Sequence, residues 1–375
     1  MRVLLLNYEY PPLGGGAGNA TRYLLKAFSQ IENLHIDLVT SSVGNFRVEQ
    51  LHERITGHFL DINKKGSLHY QSMRDLLLYA WKSYWYSKKL IAQKKYDLVH
   101  AFFGIPCGVV AMKLGLPYIV SLRGSDVPFY NLRFYWLDKI IFKNISRKVW
   151  ENASFVIALS NDLARIAQKT SKKQHISVTY NGIDTEEFSP DENILSRETT
   201  INLLFVGRLI ERKGLIYLLR AFVDLEKSFS NISLHIVGDG PLLKSHLNFV
   251  KQKKMENKIN FYGVVNHDKV NYLYKKSHIF ILPSLNEALG NVTQEALASG
   301  LPIITTDTGA SELIDKNGYI VKKQNSKDLY IAIKKLINEP MLIQKMGSRS
   351  RQLALSMRWE YIAEDYVKHY KNTIN

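Results

Sequence analysis

Cysteine occurs once in the chain, at Cys107. One thiol excludes an internal disulfide framework and a cysteine-built zinc site; it fits a reducing compartment and reads as a buried structural side chain. Long hydrophobic runs are missing too. The apolar start, Val3 to Leu6, gives way to Asn7, Glu9 and Pro11, far short of a signal-peptide core. Ile105 to Val120 is broken by Lys113 and by glycine and proline, so nothing approaches the roughly 20 apolar residues of a membrane span. The expected location is cytoplasmic, at most peripheral to a membrane. No Asp-x-Asp pair occurs, so a metal-chelating aspartate pair is excluded, and no repeat or low-complexity tract interrupts the chain.

Acid is in deficit: 34 Asp and Glu stand against 50 Lys and Arg, a net charge of +16. That excess calls for an anionic partner, whether nucleic acid, membrane surface or phosphorylated substrate. Residues 1–190 hold 24 basic against 15 acidic residues, concentrated in 64–95 with 8 against 1 and 129–150 with 5 against 1. Within the first window Leu77, Trp81 and Trp85 recur at helical spacing among Lys82, Lys88, Lys89, Lys94 and Lys95. The pattern suits an interfacial helix on anionic lipid, or a core-packing helix with a solvated basic edge. A nucleic-acid partner is not expected, because the basic stretches contain no recognised binding module.

What is present is a rhythm of short apolar runs alternating with longer amphipathic stretches, the mark of βαβ units and parallel sheets. In the first half it predicts strands at Val3–Asn7, Ile36–Thr40, Leu98–Phe102, Tyr118–Leu122, Phe155–Leu159 and Ser177–Tyr180. In the second it predicts Asn202–Val206, Leu234–Val237, Asn260–Tyr262, Ile279–Leu282, Ile303–Thr305 and Tyr319–Val321. Asn181–Asp184 and the polar stretch Thr185 to Thr200, with Pro190, read as the linker between them. The expected domains are therefore 1–190 and 191–355, each an α/β doubly wound, Rossmann-like layer, followed by a packing helix in 356–375. Sheets of this kind bind ligands at the carboxyl ends of their strands, here in a cleft between the domains.

Three segments follow strands and carry chemistry. After the first strand, Gly14, Gly15, Gly16 and Gly18 precede a helix expected from Thr21 to Phe28, and such a loop lets backbone amides approach an anion. A dinucleotide fingerprint is not met, since Asn19 stands where a third Gly or Ala is needed. After Asn202–Val206, Gly207 and Arg208 lead to Lys213, an arginine fork and a lysine point charge able to neutralise a diphosphate. After Ile279–Leu282, Glu287 lies in a loop and Glu295 on the second turn of a helix from about Asn291 to Gly300. The two carboxylates can accept sugar hydroxyls on either side of a diphosphate held by first-turn amides.

In order and spacing the chain resembles the retaining glycosyltransferases of the GT-B fold, family 4 (glycosyl transferases group 1). The resemblance rests on Tyr10–Pro11–Pro12 with Gly15–Gly16, Arg123–Gly124–Ser125–Asp126–Val127, Ala158–Leu159–Ser160, Asn181–Gly182–Ile183–Asp184, Gly207–Arg208 with Lys213–Gly214, the Glu287 and Glu295 pair, and Trp359–Glu360. It implies that Arg208 and Lys213 hold the donor diphosphate, Glu287 the donor sugar and Glu295 the ribose. Gly15 and Gly16 would approach phosphates and acceptor, and amides of Ala288, Leu289, Gly290, Asn291 and Val292 would cradle sugar and phosphate. Arg123 stands where many members have a histidine that contacts the donor sugar. Ala288–Leu289–Gly290–Asn291 replaces the more common Gly–Phe–Gly–Leu.

The implied function is transfer, with retention, from a UDP- or GDP-linked sugar to a glycan or lipid-linked acceptor in cell-surface polysaccharide or glycolipid assembly. No cofactor or metal is expected, because Arg208, Lys213 and helix amides would offset the leaving diphosphate. The last helix would return to the first domain. An epimerase or phosphorylase on the same fold, or an inactive sugar-binding subunit, remains an alternative.

Overall fold

The computed structural model describes residues 1–65, 68, 71–130, 135–191 and 199–374, without the side chains of His267 and Asp268. Residues 192–198 of the expected linker, and Arg133 of the second basic window, lie outside the described residues. The chain divides into two compact units, Met1–Gly182 with Trp359–Asn375, and Ile183–Arg358. The division thus precedes the expected boundary near 190. Its cause is local: Asn271 Nδ2 donates to Glu187 O (2.6 Å) and Arg351 to Phe188 O (2.9 Å), so this stretch belongs with the second unit.

In the first unit β1 (Arg2–Leu6), β2 (His35–Ser42), β3 (Arg47–His52), β4 (Ile55–Asp61), β5 (Leu98–Phe102), β6 (Tyr118–Leu122), β7 (Phe155–Ala158) and β8 (Ile176–Val178) form one sheet in the order β3-β4-β2-β1-β5-β6-β7-β8. Pairing is parallel throughout except between β3 and β4. Val3 to Leu6 and Leu98 to Phe102 are buried on both faces, which is why the first reads as a continuous apolar run and the second is interrupted only by the buried His100. The helices are α1 (Gly16–Phe28), α2 (Met73–Gln93), α3 (Val109–Leu114), α4 (Lys143–Glu151) and α5 (Asn161–Gln168). The chain steps one way from β1 to β2 and the other way from β4 through β5 to β8. Right-handed crossovers therefore put α1 on one face and α2 to α5 on the other.

The second unit has β9 (Ile201–Val206), β10 (Ile232–Val237), β11 (Ile259–Phe261), β12 (Ile279–Leu282), β13 (Ile303–Thr306) and β14 (Gly318–Val321), all parallel in the order β11-β10-β9-β12-β13-β14. Around it lie α6 (Leu215–Glu226), α7 (Leu243–Gln252), α8 (His267–Lys275), α9 (Asn291–Ala298), α10 (Ser326–Asn338) and α11 (Pro340–Leu355). The final helix, α12 (Trp359–Ile374), packs on the first unit against α1. Its Tyr366 and Tyr370 are buried against Phe28, His100 and Phe102, and Tyr370 OH meets His100 Nδ1 at 2.7 Å. A Cβ on Gly182 would stand 2.5 Å from the Trp359 ring, so glycine there permits the close return.

Two elements differ from the expected ones. The hairpin β3–β4 has no counterpart among the expected strands; β3 is an antiparallel edge on which Val48, Glu49 and Gln50 are exposed. Helix α1 begins at Gly16 rather than Thr21. Gly18 is buried inside it, where a Cβ would sit 2.9 Å from Leu13 O, so this glycine serves internal packing.

Candidate functional site

In the second sheet the strand order reverses between β9 and β12, the place where open α/β sheets bind ligands. The loops leaving these two strands carry Gly207, Arg208 and Lys213, and Glu287 to Gly290. Three contacts fix them. Leu285 N donates to Arg212 O (2.7 Å) and Gly309 N to Glu287 O (3.0 Å), while Gly207 N reaches Val237 O (2.9 Å). Gly214 has φ +66°, and a Cβ there would lie 2.1 Å from Pro283 O.

Gly214→Ala is therefore expected to cost at least about 2 kcal/mol, combining left-handed strain with a displaced backbone carbonyl. Urea unfolding of the purified variant would measure it. An unchanged midpoint would mean that the two loops are not held this way.

Lys213 and Glu287 are both buried, and Lys213 Nζ makes an ion pair with Glu287 Oε2. Burial alone would raise the Glu287 carboxyl. The Lys213 ammonium outweighs it and, with Arg212 and the Ser284 hydroxyl (3.5 Å), holds the group below its ordinary value. The resemblance gives the two residues separate partners, and the structure makes them each other's. Arg208, in the loop after β9, is exposed.

Helix α9 starts beside this pair. Its cap, Gly290, has φ +84°, and no side chain caps the helix, so the amides of Asn291 and Val292 lie at an N-terminus of positive dipole. The buried Thr293 hydroxyl in the same turn has no hydrogen-bond partner among the described residues. Ala288 and Leu289 are buried, and Asn291 and Val292 half-buried. Glu295 is half-buried and accepts from Tyr274 OH at 2.9 Å; that hydroxyl also lies 3.0 Å from Val292 O. Burial, with the Glu295 charge beside it, pushes the Tyr274 phenol up, so it stays protonated and donates.

Tyr274, Ser284, Gly238, Gly240 and Gly309 were missed in the sequence. The first fixes a carboxylate, and the glycines let neighbouring loops approach: a Cβ on Gly238 would meet Gly207 O at 2.0 Å, one on Gly240 Leu209 O at 2.5 Å, and one on Gly309 Ala288 O at 1.8 Å. Gly–Asp–Gly at 238–240 just after a strand is the one signal that could have been read.

In the first unit Gly15 and Gly16 are exposed at the start of α1, and a Cβ on Gly15 would meet nothing within 4 Å. The Gly15 amide already faces a carboxylate of this chain, Glu9 Oε2 at 3.4 Å. Arg123 is buried after β6. Its guanidinium donates to Asn181 Oδ1 (2.8 Å) and Tyr366 OH (3.4 Å) and stacks on Phe102 at 3.9 Å, while its Nε has no partner among the described residues. Asp126 closes the turn by accepting the Arg123 amide (2.9 Å) and that of Gly104 (2.6 Å). Burial lowers the Arg123 pKa, partly opposed by Tyr366 and Asp126. Cys107 is buried, as expected. Among the described residues no three His, Cys, Asp or Glu side chains gather as a metal site would require.

Comparison with known proteins gives the family and the fold. Residues 187–353 match the family model described as glycosyl transferases group 1, and residues 14–187 match that of glycosyltransferase family 4. An uncharacterized glycosyltransferase of Methanocaldococcus jannaschii is 26% identical over 99% of this chain and 98% of its own length. The capsular polysaccharide biosynthesis glycosyltransferase CapM of Staphylococcus aureus is 29% identical over 59% of this chain and 63% of its own. Among solved structures, Anabaena HepE in complex with UDP and glucose superposes with a TM-score of 0.76 at 19% identity, covering 98% of both chains. The chain belongs to the group 1 glycosyltransferases of the GT-B fold, and is related to enzymes that build capsules and other polysaccharides.

Proposed function

We propose that this glycosyltransferase takes a nucleoside-diphosphate sugar, UDP- or GDP-linked, and transfers the sugar with retention to a glycan or lipid-linked acceptor in cell-surface polysaccharide or glycolipid assembly. The observation that carries it is the set of groups at the reversal between β9 and β12: Lys213, Glu287 and the start of α9, which no side chain caps among the described residues, with the exposed Arg208 in the loop after β9. Cation and amides offset the charge on a departing diphosphate, Glu287 contacts the sugar, and Glu295, fixed by Tyr274, takes the ribose hydroxyls. UDP bound to HepE and the capsular role of CapM favour the same donor class and the same kind of product.

Transfer then proceeds on one face of the sugar. The bond from C1 to the phosphate oxygen breaks, that oxygen takes the acceptor hydroxyl proton, and the acceptor oxygen bonds C1. No metal ion is required in this scheme. The enzyme works at the cytoplasmic face of the membrane, held there through 64–95 and 129–150.

A thermal-shift screen of UDP, GDP, ADP, CMP and their sugar conjugates tests the donor site, since a ligand at one hundred times its Kd adds about 2.7 kcal/mol. Stabilisation by one nucleotide family, lost in Glu295→Ala and unaffected by chelator, is expected. No shift with any nucleotide would sink the proposal. Dependence on an added divalent ion would remove the metal-free scheme, and an inverted anomeric product in NMR would remove retention.

A further inference from the structure

Helix α2 is built inside out. Its buried residues are Asp75, Tyr79, Ser83, Ser87 and Leu90, whereas Met73, Leu77, Trp81 and Trp85 face solvent, the last three 63%, 61% and 58% exposed. At 3.6 residues per turn these sets fall on opposite sides of the helix. Two of the inward polar groups are well partnered: Asp75 pairs with Lys64 at 2.7 Å and caps the helix with Ser72, and Tyr79 OH donates to Val39 O at 2.9 Å, whereas the Ser87 hydroxyl has no partner among the described residues. Among the described residues nothing covers the outward stripe.

A second apolar ridge stands in the helical run leading into α4, where Trp136 is 69% and Ile140 66% exposed. Helices α2 and α4 both rest on α3, on the sheet face opposite α1 and α12. Charge follows the same division. The single acid of each basic window, Asp75 and Asp138, is buried, and Asp138 accepts the Phe129 amide at 2.8 Å. Arg74, Lys88 and Lys89 on α2, and Lys139 beside the Trp136 ring (5.6 Å), point outward. Monomeric soluble proteins seldom expose apolar ridges of this size, and the surrounding cations name the occupant.

We infer that this face inserts into an anionic phospholipid surface, the indoles of Trp81, Trp85 and Trp136 entering the headgroup boundary while Arg74, Lys88 and Lys89 meet lipid phosphates. The inference deepens the peripheral-membrane part of the proposed function and does not depend on the transfer chemistry. Insertion, unlike pure charge attraction, leaves part of the binding intact at high salt.

Co-sedimentation with phosphatidylcholine vesicles, with and without phosphatidylglycerol, tests it. The wild-type chain is expected to bind the phosphatidylglycerol vesicles, with blue-shifted tryptophan emission quenched by brominated acyl chains. Trp81→Ser/Trp85→Ser should lower the partition coefficient at least about tenfold. Lys88→Glu/Lys89→Glu should remove mainly the salt-sensitive part. Wild-type protein remaining in the supernatant at low salt would overturn the inference, as would a tryptophan double variant that binds equally well. A dimer in sedimentation velocity, broken by the double variant without vesicle binding, would assign the face to a second copy instead. All these side chains are exposed, so unfolding is not expected. Any nucleotide-induced thermal shift should be the same in the double variant, so failure of the donor site and failure of the docking face are read separately.

Discussion

Lys213→Ala is expected to abolish most transfer and to destabilise the second unit at neutral pH. Transfer should fall by about 10² to 10³-fold, the usual loss when one preorganised positive group at a developing anion is removed. Stability should fall by roughly 3 kcal/mol, because Glu287 would be left as a buried carboxylate without its cation. The sign of the pH dependence separates the two effects. In the wild type Glu287 is held below its ordinary value, so its contribution is complete above the unfolded pKa of about 4.3 and is lost as pH falls through the folded value. Without Lys213 burial dominates and pushes the carboxyl up. The variant's deficit should then be largest near pH 7 and shrink toward pH 5, in urea titrations at both values. Lys213→Met with Glu287→Gln should recover much of the stability and none of the transfer. If the double variant is as unstable as Lys213→Ala, the deficit does not come from a stranded carboxylate.

The residues of this site were legible because each follows a buried parallel strand whose apolar run marks it. Leu98–Phe102, Tyr118–Leu122 and Ile279–Leu282 have the same ends in the structure as in the sequence, since every residue in them is buried and their two polar members, His100 and Ser121, satisfy each other at 2.8 Å. What stayed hidden depends on partners far away in the chain. Tyr274 matters through Glu295, and Gly309 through the backbone of Ala288; neither has a local signature. Helix α2 is the instructive case. Leu77, Trp81 and Trp85 at helical spacing fit a core stripe as well as a membrane one, and only the partners of Asp75 and Tyr79 decide which side turns inward.

Arg123 offers the second large effect, and here activity and stability should part. Its guanidinium is buried with neutral hydrogen-bond partners, Asn181 and Tyr366, on the face of Phe102. Arg123→Met removes the cost of desolvating a cation but also the hydrogen bonds to Asn181 and Tyr366. Each term is about 1 to 3 kcal/mol and the two oppose, so the net change in stability should be small. Transfer should nevertheless fall at least about 10²-fold if the buried cation serves the reaction, since charge kept dry at a reacting centre is worth most there. Arg123→Lys is not the conservative change it looks, because an ammonium can neither fork to Asn181 and Tyr366 nor stack on Phe102. Arg123→His restores the residue common in the family and should keep more transfer than Met or Lys. Should transfer fall only in step with thermal stability across Met, Lys and His, Arg123 would be a strut for α12 through Tyr366. Transfer lost in Met at unchanged stability, and partly returned by His, would place it in the reaction.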